Sequence, residues 1–417
     1  MLAISIPFKK ELYTYSESSS DTDSACLTDD FILNQLKVGL VGQIDVDENG
    51  KPFYSRLRHN FESLPSYFAS LAFKVYNGTD FKGIPYIKIV GNPAKLLQGH
   101  NVFGPDELDL CISSVYQAFV FAAGHMFDYL DWQYASVEYL DITYTARVEN
   151  QTVAQQVLDV MKHIKVGQTK PCPDPRYKTT MYWGKGSRHK VLKAYLKLDE
   201  LDKQIRRLTR LYNIHKSDHL RRQLLQITSA EVRNFAHGAI RFEARLYSDW
   251  LKTRGLVCDV RTLIDPDYTV QNLTITQRLW ALAFADVFKA FEGNTMLTSS
   301  EKVWEALRDT YKKPTKKGFS YTKAERLFDL YETIKAKGFE PTKGRKASST
   351  WSDNMALFAA AGISLAHLQT FTGAADNVIP LVRLVNVDFA NQFPATYQRP
   401  MPLHQQVKQN PHLRIVA

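Results

Sequence analysis

Tyr195 stands in a stretch, Thr179 to Lys197, whose second half alternates between polar and apolar residues. Such alternation is typical of a β-strand, because successive side chains point to opposite faces. It places Lys193, Tyr195 and Lys197 on one face and apolar residues on the other. Two glycines near the middle allow the chain to reverse tightly, so the stretch is predicted to be a hairpin.

Two other stretches alternate in the same way. Between Ser136 and Val148, Asp141 shares a polar face with threonines, and the stretch from Gly238 carries a polar face made of Arg241, Glu243 and Arg245. Helices separate these strands. We therefore predict an α+β fold with a mixed or antiparallel sheet and helices on one face. If the three strands were neighbours, the open face would gather a tyrosine, two carboxylates and several cations.

That set of side chains suits attack by a tyrosine on a DNA phosphodiester. The unperturbed pKa of a phenol is about 10, and Lys197 would lower that of Tyr195 by stabilising the phenolate. Asp141 and Glu243 could hold Mg²⁺ or Mn²⁺, which prefer carboxylate oxygens and would polarise the phosphate. The product would be a 5′-phosphotyrosine, which keeps the bond energy for later rejoining.

The cations of the chain favour a polyanionic partner. Lysine and arginine number 53 against 43 acidic residues, a formal net charge of +10, and a basic balance favours nucleic acid before membrane. We expect the phosphate contacts to come from the polar strand faces and from the basic helix that follows Lys197. The predicted DNA-binding residues are Lys193, Arg206, Arg207, Arg210, Arg241 and Arg245.

The spacing of these polar residues is also compatible with purely structural roles. A tyrosine on a strand often serves only to pack against its neighbours. Asp141 could be a solvated strand residue, and the arginines flanking Glu243 could form cross-strand ion pairs and nothing more. Tyr182, in the first arm of the hairpin, is a competing nucleophile.

The cysteines and the apolar runs argue against a disulfide-bonded, secreted or membrane-spanning protein. The four cysteines lie far apart, with neither metal-ligand spacing nor a disulfide framework, so a reducing interior is expected. The N-terminus lacks the pattern of a signal peptide. The longest uncharged run, Cys111 to Phe127, is short for a membrane span and contains polar residues, so we predict a buried helix and no membrane association.

The chain becomes helical and basic after about Thr276. Residues 301–350 hold thirteen basic against seven acidic residues. Residues 348–369 contain two helical segments, either a helix-turn-helix or two packed core helices. A last strand is predicted from Val378 to Ala390, followed by a flexible tail from Gln398.

Several of these stretches resemble the gene II-type replication initiators of filamentous bacteriophages. The resemblance runs from about Arg58 to Ala390. The matching segments are SLAFKVYNG, NPAKLLQGHNVFG, LDITYTAR, GQTK, SRHKVLKAYLK, IRFEARL, FKAFEGNTM and VIPLVRLVNVDFA.

This resemblance implies a site-specific nickase of rolling-circle replication in the host bacterial cytoplasm. Such an initiator binds double-stranded phage origin DNA and nicks the viral strand through a 5′-phosphotyrosine. After one round it circularises the displaced single strand. The AYLK segment of this family assigns the nucleophile to Tyr195. The order of TMYWGKGS, AYLK and RFEAR also resembles plasmid rolling-circle initiators, whose metal carboxylates would correspond to Asp141 and Glu243. Host helicase and polymerase are the implied partners, and self-association on the origin is left open.

The predicted domains follow from the same resemblance. Residues 1–60 form an N-terminal variable segment, 61–285 the nickase domain and 286–417 a mostly helical DNA-binding domain, within which Met296 matches the family's internal start. The alternatives are a non-catalytic origin-binding protein that recruits host enzymes and a metal-free tyrosine recombinase.

Overall fold

A computed structural model describes residues 1–16, 24–46, 49, 51–78, 83–162, 164, 166, 169, 171–174, 177–263, 274–292, 300–316, 318–363, 365, 368, 371 and 387–409. Met296, most of the strand predicted from Val378, and most of the second segment of residues 348–369 lie outside this set.

The strands are β1 Leu2–Pro7, β2 Thr14–Ser16, β3 Ser24–Cys26, β4 Leu40–Val46, β5 Pro52–His59, β6 Glu62–Pro65, β7 Ser70–Asn77, β8 Pro85–Gly91, β9 Ser136–Arg147, β10 Cys172–Asp174, β11 Tyr177–Trp183, β12 Lys190–Leu196, β13 Ala239–Tyr247, β14 Lys313–Thr315 and β15 Gly318–Ser320.

The α-helices are α1 Pro93–Gln98, α2 Leu108–Ala123, α3 Gln151–Met161, α4 Lys197–His215, α5 Asp218–Ile227, α6 Ala230–Ala236, α7 Ser248–Lys252, α8 Val260–Leu263, α9 Ile275–Glu292, α10 Ser300–Tyr311, α11 Thr322–Lys337, α12 Phe339–Lys343, α13 Ser348–Ala360 and α14 Leu403–Gln409.

A nine-stranded sheet in the order β10-β11-β12-β13-β9-β1-β8-β7-β6 organises the first part of the chain. All its pairings are antiparallel. Its apolar face buries alternate residues of each strand, such as Leu192, Phe242 and Ile142, beneath α2, α3 and α9. The predicted α+β class, with its antiparallel sheet, is confirmed.

β1 is a central strand of this sheet, between β8 and β9. It was not predicted, and it places residues of the predicted N-terminal segment in the same sheet as strands of the predicted nickase domain. All but the last of its six residues are buried, on both faces of the strand. Four of these five are apolar, and the fifth, Ser5, hydrogen-bonds to Ser136. Such a run shows no alternation.

The helix predicted around Cys111 to Phe127 is part of the core. With the 3₁₀ turn after it, the span Leu108–Tyr129 is long and apolar enough to cross a membrane by length and composition. Its side chains Ile112, Val115 and Phe119 are nevertheless buried in the core beneath the sheet. This packing is expected of a core helix, and the prediction of a buried helix is confirmed.

A second, smaller core forms between α10, α11, α12 and α13. Val303, Leu307, Leu327, Ile334 and Phe358 are fully buried in it. β14 and β15 form a separate two-stranded hairpin between α10 and α11.

The chain returns from the second core to the first. Phe389 lies against Tyr144, with ring centroids 4.8 Å apart, and against Trp280 at 5.8 Å. Leu403, on α14, is buried in the first core. The prediction of a flexible tail from Gln398 is therefore wrong for the described residues up to 409. A single apolar residue among polar ones gave too weak a sequence signal for this packing.

Candidate active site beside Tyr195

The three polar strand faces lie side by side, as the sequence analysis required. In the register, Lys193 is opposite Glu243 and Tyr195 is opposite Arg241. On the next strand Arg245 is opposite Asp141. The hairpin is also as predicted, since β11 and β12 pair and Gly184 and Gly186 in the turn have φ of 69° and 88°.

Tyr195 is almost enclosed within this face. Only 3% of it is exposed, and its hydroxyl donates a hydrogen bond to Glu243 Oε2 at 3.3 Å. The Lys193 ammonium lies 4.2 Å from the ring centroid and 3.6 Å from Glu243 Oε1. Burial and the Glu243 carboxylate raise the pKa of Tyr195 well above its usual value. The resting phenol is therefore neutral.

Lys197 does not stabilise the Tyr195 phenolate, which corrects the sequence prediction. β12 ends at Leu196, and Lys197 is the first residue of α4. It is fully buried, and its ammonium donates to Asn101 Oδ1 at 3.0 Å and Glu200 Oε2 at 2.5 Å. Burial lowers the pKa of Lys197 to about 7, although Glu200 acts in the opposite direction.

Asp141 is bound to an arginine. Both its carboxylate oxygens accept from Arg245, at 2.6 and 2.7 Å, and the Met1 amino group lies 3.6 Å away. Burial alone would raise the pKa of Asp141, but these cations hold it below its usual value. Both oxygens of this carboxylate are thus engaged by one arginine, and only 3% of the side chain is exposed.

The predicted metal pair does not fit a metal in this arrangement. Glu243 faces the cavity, with 20% of its side chain exposed, but Asp141 is held by Arg245. Within the described ranges, no three or more His, Cys, Asp or Glu side chains converge as a metal site would require. Glu243 is thus the carboxylate that can act on Tyr195 directly.

The predicted DNA-binding cations divide into two groups. Arg241 is 6% exposed and donates to the main-chain carbonyls of Asn101 and Val102. It and Arg245 are therefore occupied by structural contacts, which corrects their assignment to phosphates. Lys193 borders the cavity beside Tyr195. Arg206, Arg207 and Arg210 are exposed on α4, as an amphipathic helix with one packed face requires.

The segment Asn92–Gly104 forms one wall of the site, which the sequence analysis did not predict. Asn92 caps α1 by accepting from the Lys95 N–H at 3.1 Å, and α1 ends at Gly99 with φ of 83°. The next turn presents the Asn101 side chain to Lys197. The role of this segment in the site was not predicted, because main-chain carbonyls that bind Arg241 leave no trace in residue types.

Three cavities adjoin one another, and two of them lie at the polar face. The first, about 410 Å³, lies beside Tyr195 and Glu243. The second, about 380 Å³, shares Tyr195 and Lys193 with it and reaches the exposed face of α4 at Arg207. The third, about 560 Å³, shares Arg207 and also contains Lys95. We call these three the Tyr195 groove.

The C-terminal segment closes one side of the first cavity. β1 pairs with β9 only as far as Leu2 opposite Leu140, and beyond it this edge of β9 has no paired strand among the described residues. The Gln392 side chain occupies the edge by accepting from Thr145 N at 2.8 Å and donating to Thr145 O at 3.0 Å. Gln392 and Phe393 both line the cavity.

Comparison with known proteins identifies the family. Residues 1–264 match the model of the N-terminal region of the phage replication-associated protein, and residues 315–402 match the model of its C-terminal region. The replication-associated protein of Salmonella phage IKe is 32% identical over 410 residues, which cover 97% of this chain and 96% of the relative.

Two further relatives agree. The replication-associated proteins of Enterobacteria phages f1 and M13 are each 33% identical over 351 residues, covering 83% of this chain and 85% of theirs. No solved structure matches the chain. The match of the first family model over more than half of the chain shows that this protein belongs to the replication-associated protein family of filamentous phages.

Proposed function

We propose that this protein initiates rolling-circle replication by nicking the viral strand at the phage origin and later rejoining it, acting in the host cytoplasm. The observation that carries the proposal is the Tyr195 hydroxyl hydrogen-bonded to Glu243 inside the groove, in a chain of the replication-associated protein family. Host helicase and polymerase would then act on the free 3′ end.

Glu243 would activate Tyr195 as a general base. As the Tyr195 oxygen attacks phosphorus, the phenol proton passes to Glu243, the bond to the 3′ oxygen breaks, and that oxygen takes a proton from solvent. Lys193 would balance the charge that develops on the phosphate. The 5′-phosphotyrosine retains the bond energy, so attack by a 3′ hydroxyl rejoins the strand. The raised pKa of Tyr195 makes this base necessary, because the phenol is neutral near pH 7.

Cavity size favours an unpaired strand at the reacting centre. A volume of about 410 Å³ falls within the range of small-molecule sites, roughly 300–1,000 Å³. It accommodates a nucleotide-sized segment and not a base-paired duplex. Arg207 lines the outer part of the groove, and Arg206 and Arg210 are exposed on the same helix. These arginines would contact the phosphates of that strand.

The requirement for Mg²⁺ or Mn²⁺ stays a prediction of the family resemblance, and no step above depends on it. Nicking in EDTA tests it. Full activity under those conditions would remove the metal from the reaction, whereas loss of activity that Mn²⁺ restores would show that the ion is required.

Tyr195→Phe tests the nucleophile. On a supercoiled plasmid with the cognate origin, the variant is expected to bind but to produce neither nick nor covalent adduct. Tyr182→Phe is expected to retain both, and peptide mapping should locate the adduct at Tyr195. An adduct at Tyr182 would move the site to that residue.

Glu243→Gln tests the base on the same substrate. The expected loss of nicking is about 10²–10⁴-fold, the usual contribution of a general base. Glu138→Gln is the matched control, because Glu138 lies on β9 of the same sheet but pairs with Lys88. Origin binding without any cleavage by wild-type protein would favour the non-catalytic alternative.

A further inference from the structure

The hairpin of β14 and β15 is exposed along its length. Lys312, Lys313 and Lys316 are exposed, and the Phe319 side chain beside them is 58% exposed. The sequence from Lys312 to Lys323 holds five lysines and no acidic residue. The described hairpin therefore combines positive charge with an apolar ring in solvent.

The base of this hairpin is held firmly by the second core. Isolated two-stranded hairpins are only marginally stable in water, and here α10 and α11 flank it, packing through Leu307 and Leu327. The Tyr311 hydroxyl, at the end of α10, donates to Leu357 O at 2.5 Å, and the Lys323 ammonium lies 4.4 Å from the Tyr311 ring centroid. The helices fix the ends while the strands project.

We propose that this hairpin binds origin DNA and helps to open it. The lysines would contact backbone phosphates, and a two-stranded β-ribbon fits the major groove of DNA. Phe319 would insert between neighbouring bases, as apolar wedges do in proteins that unstack DNA, or stack on a base already separated. An inserted ring stabilises an unstacked step of the duplex, and a ring stacked on a separated base stabilises the open form, so both weaken base stacking at the origin.

Opening is needed because the groove beside Tyr195 takes an unpaired strand. The need for opening rests on the proposed function. The experiments, however, measure DNA binding and base unstacking, and neither requires cleavage. The experiments use full-length protein carrying Tyr195→Phe, so that no adduct forms and nicking cannot contribute to either signal.

The lysines are tested by replacing Lys313 and Lys316 with Gln. Binding of a duplex oligonucleotide bearing the cognate origin is measured by anisotropy over a range of salt concentrations. The slope of log affinity against log salt should become shallower by about 1.8, or about 0.9 for each phosphate that is no longer neutralised. Lys10→Gln with Lys37→Gln, an equal charge change outside the hairpin and the groove, should leave the slope unchanged. An unchanged slope in the hairpin variant would overturn the proposal.

The aromatic ring is tested by Phe319→Ala and Phe319→Trp. With 2-aminopurine placed along the origin duplex, the wild-type hairpin should raise the fluorescence by unstacking the base. Phe319→Ala should abolish this rise while the salt slope stays unchanged, and Phe319→Trp should retain it. A full rise with Phe319→Ala would overturn the wedge. If the protein with Tyr195 intact nicked no substrate, the proposed function would be refuted. The salt slope and the 2-aminopurine signal would still decide whether the hairpin binds and unstacks DNA.

Discussion

At the scale of single residues, the Tyr195 phenol and the carboxylate that we propose as its base, Glu243, are already hydrogen-bonded. Tyr195 is enclosed by the sheet and by the Asn92–Gly104 segment, so it keeps its proton until a carboxylate removes it. Glu243 both raises the pKa of the phenol and lies where it can accept the proton. The Lys193 ammonium lies beside both groups.

Asp141→Ala distinguishes a structural carboxylate from a metal ligand. The change leaves Arg245 without its bidentate partner, so the free energy of unfolding should fall by about 2–4 kcal/mol, as expected for breaking a largely buried ion pair. Urea unfolding measures this loss. Asp159→Ala is the control, because Asp159 is half exposed in its pair with Lys162 and should cost about 1 kcal/mol or less.

The double variant Asp141→Ala with Arg245→Met should lose less stability than the two single variants added together. The loss is smaller because the double variant contains neither the carboxylate nor the guanidinium, so no buried charge is left without a partner. Unchanged stability in Asp141→Ala, with nicking lost and restored by Mn²⁺, would instead assign Asp141 to a metal site.

Lys197 gives the protein a pH dependence with a definite sign. Its pKa falls from 10.5 to about 7 on folding because the ammonium is buried. The unfolded chain therefore holds this proton more tightly, and the free energy of unfolding rises between pH 7 and about 10.5. The slope for one proton is about 1.4 kcal/mol per pH unit. The gain is lost as the pH falls back to 7.

Urea unfolding of wild-type protein and Lys197→Met at pH 7, 8 and 9 isolates this contribution. The stability of the wild type relative to the variant should increase with pH over that range. Because Lys197 is the main cation that lowers the pKa of Glu200 against the effect of burial, the same pair is also compared in a Glu200→Gln background, where Glu200 adds nothing to the difference. Parallel pH profiles would show that Lys197 keeps an ordinary pKa.

At the scale of secondary structure, the strands that carry the site were predictable and their surroundings were not. Alternation located β9, β12 and β13 and assigned their faces, because a half-buried strand repeats every two residues. The order of the strands depends on pairings distant in sequence. β1 was missed because its buried residues lie on both faces and do not alternate with polar ones. The walls around Tyr195 depend on backbone carbonyls and on the Gln392 amide.

Gln392 provides a test of the C-terminal segment as part of the site. Gln392→Ala removes both hydrogen bonds to the edge of β9, so the free energy of unfolding should fall by about 1–3 kcal/mol. Limited proteolysis should cleave residues 387–409 faster. Gln405→Ala, at an exposed position on α14, should change neither. Identical protection in Gln392→Ala would show that Phe389 and Leu403 suffice to hold the segment.

At the scale of the whole molecule, positive charge occurs on both cores. The arginines of α4 are exposed beside the sheet of the first core, with Arg207 in the groove. The lysines of the β14–β15 hairpin extend from the second core. The chain passes from the first core to the second and then returns, because Phe389 and Leu403 pack in the first core. A polyanion bound by both would explain why the basic residues are divided between them.

We expect the arginines of α4 to account for a measurable share of the salt dependence of origin binding. Origin affinity should fall steeply with salt, because each neutralised phosphate releases counterions. Replacing Arg206, Arg207 and Arg210 with Gln should make the slope of log affinity against log salt shallower by about 2.7, or about 0.9 for each arginine removed from a phosphate. The measurement uses duplex origin DNA and the Tyr195→Phe background.

The control for this variant removes three positive charges elsewhere, with Lys10, Lys37 and Arg261 replaced by Gln. Because counterion release depends on direct binding to phosphates and not on net charge, the control should retain the wild-type slope. Equal changes in both variants would mean that the charge of the whole molecule governs binding. A wild-type slope in the α4 variant would mean that DNA does not follow the groove past α4, and the path of the strand to Tyr195 would then have to enter from the side of the first cavity that Gln392 borders.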